Sequence, residues 1–349
     1  MERHWLDGLE HDAELVLPAP VFRYFRQGAR EGRTSAEARA AWRRHRFAPH
    51  VLRDVTQIDT ATQVLGRPIV APVGVAPTTL QRAAHPDGEL AVARATAEAG
   101  SLMVVSSNAG TTFADIAATG VRWWLQAYLP ADRSLATELL AAAVEAGAEA
   151  VVLTVDTPVV GTKYDGAGAT VWDDLETDAL RVNFSAGYDD RPGSQKATDL
   201  SARDIAWLRE QTGLPVVVKG VLRPDDARRC AQAGAAGVWV SNHGGRQLDR
   251  TLPTADALPA VVSALDGETE VYVDGGISSG LDVLTALALG ADCVFVGRLA
   301  LWALVQGQDA VLRMHRELRA ELEESMRLAG VAHTADTRQI LAPERQNRL

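Results

Sequence analysis

The sequence predicts an α/β chain closed into a (β/α)8, or TIM, barrel. Short apolar, β-branched runs recur along most of the chain, with Ala/Leu-rich helical patterns between them. Polar residues suited to chemistry follow almost every run, as in a ring of loops over one barrel face. Pattern alone leaves an open doubly wound sheet possible, and it is the position of the chemistry that favours closure.

The strands are expected at 69–76, 102–106, 123–128, 150–155, 215–219, 237–241, 271–274 and 293–297. Helices are expected at 88–99, 133–146, 224–233, 255–265 and 279–288, several ending in a glycine suited to a helix C-terminus (Gly100, Gly147, Gly234, Gly290). These elements place the barrel at about 65–305 within a single domain spanning 1–349. Residues 1–60 read as a helical extension, in which Leu17-Pro18-Ala19-Pro20 opens a segment carrying Tyr24. Residues 160–200 form a long Gly/Asp-rich loop after the fourth strand, a length that marks a functional or partly disordered segment. A C-terminal helix is expected at 308–330, where Val311, Met314, Leu318, Leu322 and Met326 form a stripe best explained by core packing.

Hydrophobic residues make up 47% and charged residues 23%, which supports a well-buried core and argues against disorder. A net charge of −10 disfavours nucleic acid or an anionic membrane as partner. The two cysteines, Cys230 and Cys293, lack metal-ligand spacing, and no metal site is expected. The N-terminus lacks the layout of a signal peptide and no apolar stretch is long enough to span a bilayer, so the expected location is cytoplasmic.

The richest segment is Ser241-Asn242-His243-Gly244-Gly245-Arg246-Gln247-Leu248-Asp249, directly after the run ending in Val240. A base (His243) and a fixed cation (Arg246) together suit a substrate with a removable proton and a carboxylate. Val273-Asp274-Gly275-Gly276 and Val296-Gly297-Arg298 end the last two strands, where barrels commonly hold phosphate. Asp274 could hold a hydroxyl there and Arg298 a phosphate; a glycine pair after a strand, taken singly, is also an ordinary turn. Asp156 and Lys219 end the fourth and fifth strands, either as a structural ion pair or as groups facing a cofactor and an imidazolium. Gln126 and Tyr128 end the third. Tyr24 by itself reads as packing.

These motifs, with Ala76-Pro77-Thr78, Ala84-His85-Pro86-Asp87-Gly88-Glu89, Leu153-Thr154-Val155-Asp156-Thr157-Pro158 and Val218-Lys219-Gly220-Val221, resemble the FMN-dependent 2-hydroxy-acid oxidising family. Glycolate oxidase, lactate oxidase, lactate monooxygenase and mandelate dehydrogenase belong to it. The resemblance runs from about Leu17 to about Ile340. It implies non-covalent FMN and oxidation of an L-2-hydroxy acid to the 2-oxo acid, with His243 as base and Asp156 stabilising its protonated ring. Arg246 and Tyr24 would clamp the carboxylate, Tyr128 would bond the substrate oxygen, and Lys219 would favour the anionic reduced flavin. Pro77, Thr78, Ser106, Gln126, Thr154 and Ser241 match positions at the isoalloxazine or ribityl chain, and Asp274, Gly276, Gly297 and Arg298 match the ribityl and phosphate end.

Four positions depart from the family pattern. Ser278, followed by Ser279, stands where an arginine usually binds the FMN phosphate, a loss of about 1.5–3 kcal/mol unless the hydroxyls compensate. Thr79 replaces a smaller residue close to the flavin. Lys163 replaces an active-site arginine, and Asn108 replaces a large aromatic, which implies a roomier or more polar pocket. Dioxygen is the expected electron acceptor, with hydrogen peroxide released, because no membrane-anchoring segment occurs in the long loop and no haem domain precedes the barrel. A soluble dehydrogenase, a monooxygenase, an enzyme of a related 2-substituted acid and a non-catalytic flavin-barrel binding protein are the alternatives. The resemblance also implies a homo-oligomer, a tetramer.

Overall fold

The apolar runs of the sequence become short strands buried on both faces, as a parallel sheet covered by helices requires. The computed structural model describes residues 4–164, 170–174 and 180–342. Three helices lead the chain: α1 (Trp5–Val16), α2 (Ala19–Arg26) and α3 (Arg33–Arg43). An antiparallel hairpin follows, β1 (Thr62–Val64) with β2 (Arg67–Ile69). Then come β3 (Val73–Val75), α4 (Gln81–Ala84), α5 (Gly88–Glu98), β4 (Leu102–Ser106), α6 (Phe113–Ala117) and β5 (Arg122–Ala127). The middle of the chain holds α7 (Thr137–Glu145), β6 (Val151–Thr154), α8 (Val171–Asp174), α9 (Ala202–Thr212) and β7 (Val216–Val221). After these come α10 (Pro224–Gln232), β8 (Gly237–Val240), α11 (Thr254–Leu265), β9 (Glu270–Val273) and α12 (Gly280–Ala288). The last elements are β10 (Cys293–Val296), α13 (Arg298–Leu304) and α14 (Gln308–Ala329).

Strands β3 to β10 form a closed parallel barrel, sealed where Val294, Phe295 and Val296 of β10 pair with Val73, Gly74 and Val75 of β3. Alternation along each strand divides the apolar residues into two sets. Leu102, Val104, Trp124, Val152, Val217, Trp239, Tyr272 and Phe295 fill the interior. Met103, Val105, Trp123, Leu125, Leu153 and Val218 face the helices. Inside, the Trp239 and Phe295 rings lie 4.0 Å apart, and both contact the Tyr272 ring. The β1–β2 hairpin stoppers the N-terminal end of the barrel: Val64 and Ile69 join the interior cluster, and the Leu65 N–H donates to Glu270 Oε2 at 3.0 Å. Polar chemistry is left to the opposite end.

The barrel expectation holds, with local corrections. The run at 69–76 is not one strand, because Pro72 lacks the N–H a ladder needs; Ile69 ends the hairpin and the barrel strand begins at Val73. Within 1–60 the helices stop at Arg43, and 44–61 is irregular. Helices α6, α9 and α13 were not expected. α9 begins with a capping box in which Ser201 and Asp204 satisfy each other's backbone N–H. The 160–200 loop carries only α8 and one 3₁₀ turn, Tyr188–Asp190, among its described residues; 165–169 and 175–179 lie outside them. The stripe on α14 is fully buried and packs on α5 and α12. Among the described residues no helix is long and apolar enough to cross a membrane.

Candidate active site

The C-terminal strand ends surround a cavity of about 1440 Å³. That exceeds the usual range for a single small ligand and leaves room for a cofactor and a substrate together. Phe295 contributes to its floor, while α2, α3 and residues of the 160–200 loop complete its walls.

His243 lies in left-handed backbone, φ +56°, and Gly244 and Gly245 follow at +62° and +73°. A non-glycine residue rarely adopts that conformation, and strain of this kind gathers at functional sites. The turn brings His243 Nδ1 to 2.9 Å from Asp156 Oδ1, with Thr157 Oγ1 at 3.3 Å. The far nitrogen, Nε2, is 3.5 Å from the Tyr128 hydroxyl. Asp156 stands behind the ring rather than in the cavity wall. Burial pushes its carboxyl up, but the charge and hydrogen bond of His243, with Lys219, outweigh this and hold it below the ordinary carboxylate range. Burial and then the Asp156 charge push the Tyr128 phenol well above its ordinary value, which keeps it a neutral donor.

Arg246 Nη1 donates to the carbonyls of Tyr24 (2.6 Å) and Gln27 (3.0 Å), and its guanidinium lies 4.9 Å from the centre of the Tyr24 ring. The expected pair is therefore brought together and fixed by α2. Lys163 differs from expectation. It lines the cavity, but its ammonium donates to the Gly161 and Arg246 carbonyls and braces the backbone of the clamp. At Asn108 the structure favours the polar reading: Oδ1 accepts from Arg181 Nε at 3.0 Å. Thr79 Oγ1 donates to the Asn108 carbonyl at 3.3 Å.

Pro77, Thr78, Thr79, Ser106, Gln126, Thr154 and Lys219 all line the cavity. Ser106 Oγ donates to Gln126 Oε1 (3.2 Å), and Gln126 Nε2 donates to Thr154 Oγ1 (3.1 Å), a polar chain across three strand ends. Lys219 Nζ lies 2.9 Å from Asp274 Oδ2 and donates to Ser241 Oγ at 2.7 Å. Ser241 is fully buried and does not reach the cavity; it acts behind Lys219 and Asp274.

At the other end Asp274, Gly276, Gly297 and Arg298 line the wall with Ser35 and Arg39 of α3. Arg298 donates to the Phe25 carbonyl (2.9 Å), Ser35 Oγ (3.1 Å) and the Gln27 carbonyl (3.2 Å). Among the described residues no carboxylate pairs with it. Burial, then the charge of Arg246, brings its guanidinium down to about 10. A desolvated cation held only by neutral acceptors is set for an anion. Close approach of α3 needs glycine here. A Cβ on Gly276 (φ +83°) would lie 2.6 Å from the Ala38 backbone, and one on Gly245 would lie 2.6 Å from the Ser35 nitrogen. Ser278 is a correction: it is buried off the cavity wall, and its N–H and hydroxyl both donate to Asp282 Oδ2, next to the Ser279 N-cap of α12. The donor set, amides and hydroxyls beside Lys219 and a half-buried arginine at the glycine turns, nevertheless fits a flavin with a phosphate tail.

The family model for FMN-dependent dehydrogenase matches residues 13–343. The chain belongs to the FMN-dependent dehydrogenase family. Human 2-hydroxyacid oxidase 1 is 40% identical over 341 residues, covering 93% of this chain and 92% of that protein. The 4-hydroxymandelate oxidase of Amycolatopsis orientalis is 39% identical, covering 96% and 97%. A mandelate oxidase structure with benzoyl-formic acid superimposes with a TM-score of 0.89 at 38% identity, covering 97% and 98% of the two chains. As an FMN-dependent dehydrogenase family member, the chain takes FMN as its cofactor. Sequence reasoning gave no role to Thr157, Ser35, Arg181 and Lys196, all of which line the cavity. Thr157 lay within a quoted motif but was passed over for its neighbour Asp156, and the other three carried no motif or strand-end position that had been read as chemistry.

Proposed function

We propose that the chain oxidises an L-2-hydroxy acid to the 2-oxo acid and passes the electrons to dioxygen. The observation that carries this reading is the His243 ring, held at Nδ1 by Asp156 and meeting the Tyr128 hydroxyl at Nε2, with the Arg246–Tyr24 pair on the same cavity. Relatives named 2-hydroxyacid oxidase, glycolate oxidase and 4-hydroxymandelate oxidase support it.

Arg246 and Tyr24 bind the substrate carboxylate and so fix which face of C2 meets the base. His243 Nε2 takes one proton as the C2–O bond becomes a carbonyl, and Asp156 stabilises the imidazolium that results. Tyr128, kept protonated, donates to the substrate oxygen throughout. Pro77, Thr78, Thr79, Ser106, Gln126 and Thr154 would bound the flavin ring, with Lys219 supplying fixed positive charge. Asp274, Gly276, Gly297 and Arg298 would hold the ribityl phosphate. Bound FMN would supply the acceptor for the two electrons and the remaining hydrogen, with dioxygen, reduced to hydrogen peroxide, as the final oxidant.

Anaerobic mixing of the FMN-loaded protein with a panel of L-2-hydroxy acids tests the reading. At least one acid is expected to bleach the flavin, and admitted oxygen is expected to restore it with one peroxide per turnover. A flavin that no acid reduces would sink the proposal. Reduction without peroxide on reoxidation would turn it into a dehydrogenase or monooxygenase.

A further inference from the structure

Two cations in the cavity wall have no part in the chemistry above. Lys196 is held to the barrel by a backbone bridge to Pro130, and its ammonium stands 3.7 Å from the centre of the Tyr128 ring. It therefore touches the ring face, whereas His243 is met by the hydroxyl of the same ring. Arg181, in left-handed backbone at φ +59°, points its guanidinium to Asn108 Oδ1 and pairs with Asp189. Both line the cavity.

The two charges act on each other. Burial first, and then Arg181, pull Lys196 down to about 8. Asp156 is the one carboxylate that opposes this, and it is already engaged with His243. Among the described residues no carboxylate forms an ion pair with Lys196, and Asp189, the partner of Arg181, is 69% exposed. Asp189 lines the same wall and offsets Arg181, so in a chain with net charge −10 the uncompensated and partly desolvated charge of this stretch is that of Lys196. Such an arrangement is costly unless an anion completes it. It is also distinct from the carboxylate clamp, because Arg246 is tied to α2 through the Tyr24 and Gln27 carbonyls.

We propose that Lys196 and Arg181 form a second anion subsite, and that the favoured substrates are L-2-hydroxy acids whose side chain ends in a second carboxylate. The proposal rests on the reading of the chain as a 2-hydroxy-acid oxidase. It also explains position 108: a short amide there accepts from Arg181, where a large aromatic would take the space of the guanidinium.

The test compares four- and five-carbon L-2-hydroxy diacids with the 2-hydroxy monoacids of equal chain length, read as kcat/KM for anaerobic flavin reduction. At least one diacid is expected to exceed its monoacid by about tenfold or more. Lys196→Met, which keeps an alkyl chain on the Tyr128 ring, is expected to remove that advantage, and Lys196→Arg to restore most of it. Titration with the five-carbon 2-oxo diacid, followed through the flavin spectrum, should show Kd rising by a similar factor in Lys196→Met. Monoacids equal to or better than both diacids would overturn the subsite while leaving the oxidase reading intact. A parallel loss on both substrate types in Lys196→Met would also overturn it, since that marks a packing role only. No reduction by any of these acids would overturn the subsite alone, and only failure across the wider panel of L-2-hydroxy acids would remove the oxidase reading.

Discussion

His243 and Arg246 were legible because they lie three positions apart at one strand end, where a single motif exposes both. Lys196 and Arg181 were not, since a cation in a polar loop looks like a solvated charge until its neighbours are known. Ser278 differs from expectation for a related reason: the family pattern fixes the position, but its side chain turns to the Asp282 carboxylate beside the Ser279 cap of α12. Two outcomes belong at this scale. His243→Ala is expected to slow flavin reduction by about 10²–10⁴-fold, the usual worth of a positioned base, while FMN stays bound. Reduction at the native rate would remove His243 from the mechanism. Arg298→Met is expected to weaken FMN binding by about 1.5–3 kcal/mol, the value of a hydrogen bond to a charged group. Fluorescence of free flavin titrated with apoprotein reads this directly, and an unchanged Kd would place the phosphate elsewhere.

At the scale of elements, burial on both strand faces made seven of the eight barrel strands readable to within a few residues. The eighth failed at Pro72, where hydropathy continues but the hydrogen-bond donor is missing. α9 was missed because it follows directly on a long polar loop, and its Ser201–Asp204 capping box was the signal that could have found it. The α14 stripe was readable as core, yet it conceals His315, buried against α5 with Nε2 3.3 Å from Thr96 Oγ1. Burial brings this imidazole down from 6.5 to about 4. Between those values the unfolded chain holds more protons than the folded one, so stability rises with pH across the window and is lost as pH falls through it. The full effect is about 3 kcal/mol at 1.36 kcal/mol per unit. His315→Gln, an uncharged residue that can still meet Thr96, should flatten the fall in Tm between about pH 6.5 and 4. An identical slope in the variant would assign acid sensitivity to other groups.

On the scale of the molecule, the two ends of the barrel are built for different tasks. The N-terminal end is closed by the β1–β2 hairpin and an aromatic interior, with Glu270 taken up by Leu65 and Tyr272. The C-terminal end is held partly by polar contacts from segments distant in sequence. Arg298 joins α13 to α2 and α3, and Arg246 joins the turn after β8 to the same α2. Both cations face carbonyls and hydroxyls where an anion would serve better. FMN should therefore stabilise the fold through its phosphate, and unevenly. Free FMN at about a hundred times Kd stabilises the native state by about 2.7 kcal/mol, and the Tm of the apoprotein should rise accordingly. Riboflavin, which lacks the phosphate and so binds with a higher Kd, should give clearly less at the same free concentration. Hydrogen exchange should slow most in α2 and α3 and change little in the β1–β2 hairpin. Equal stabilisation by riboflavin and FMN, with uniform exchange across both ends, would show that Arg298 does not tie the N-terminal helices to the cofactor phosphate.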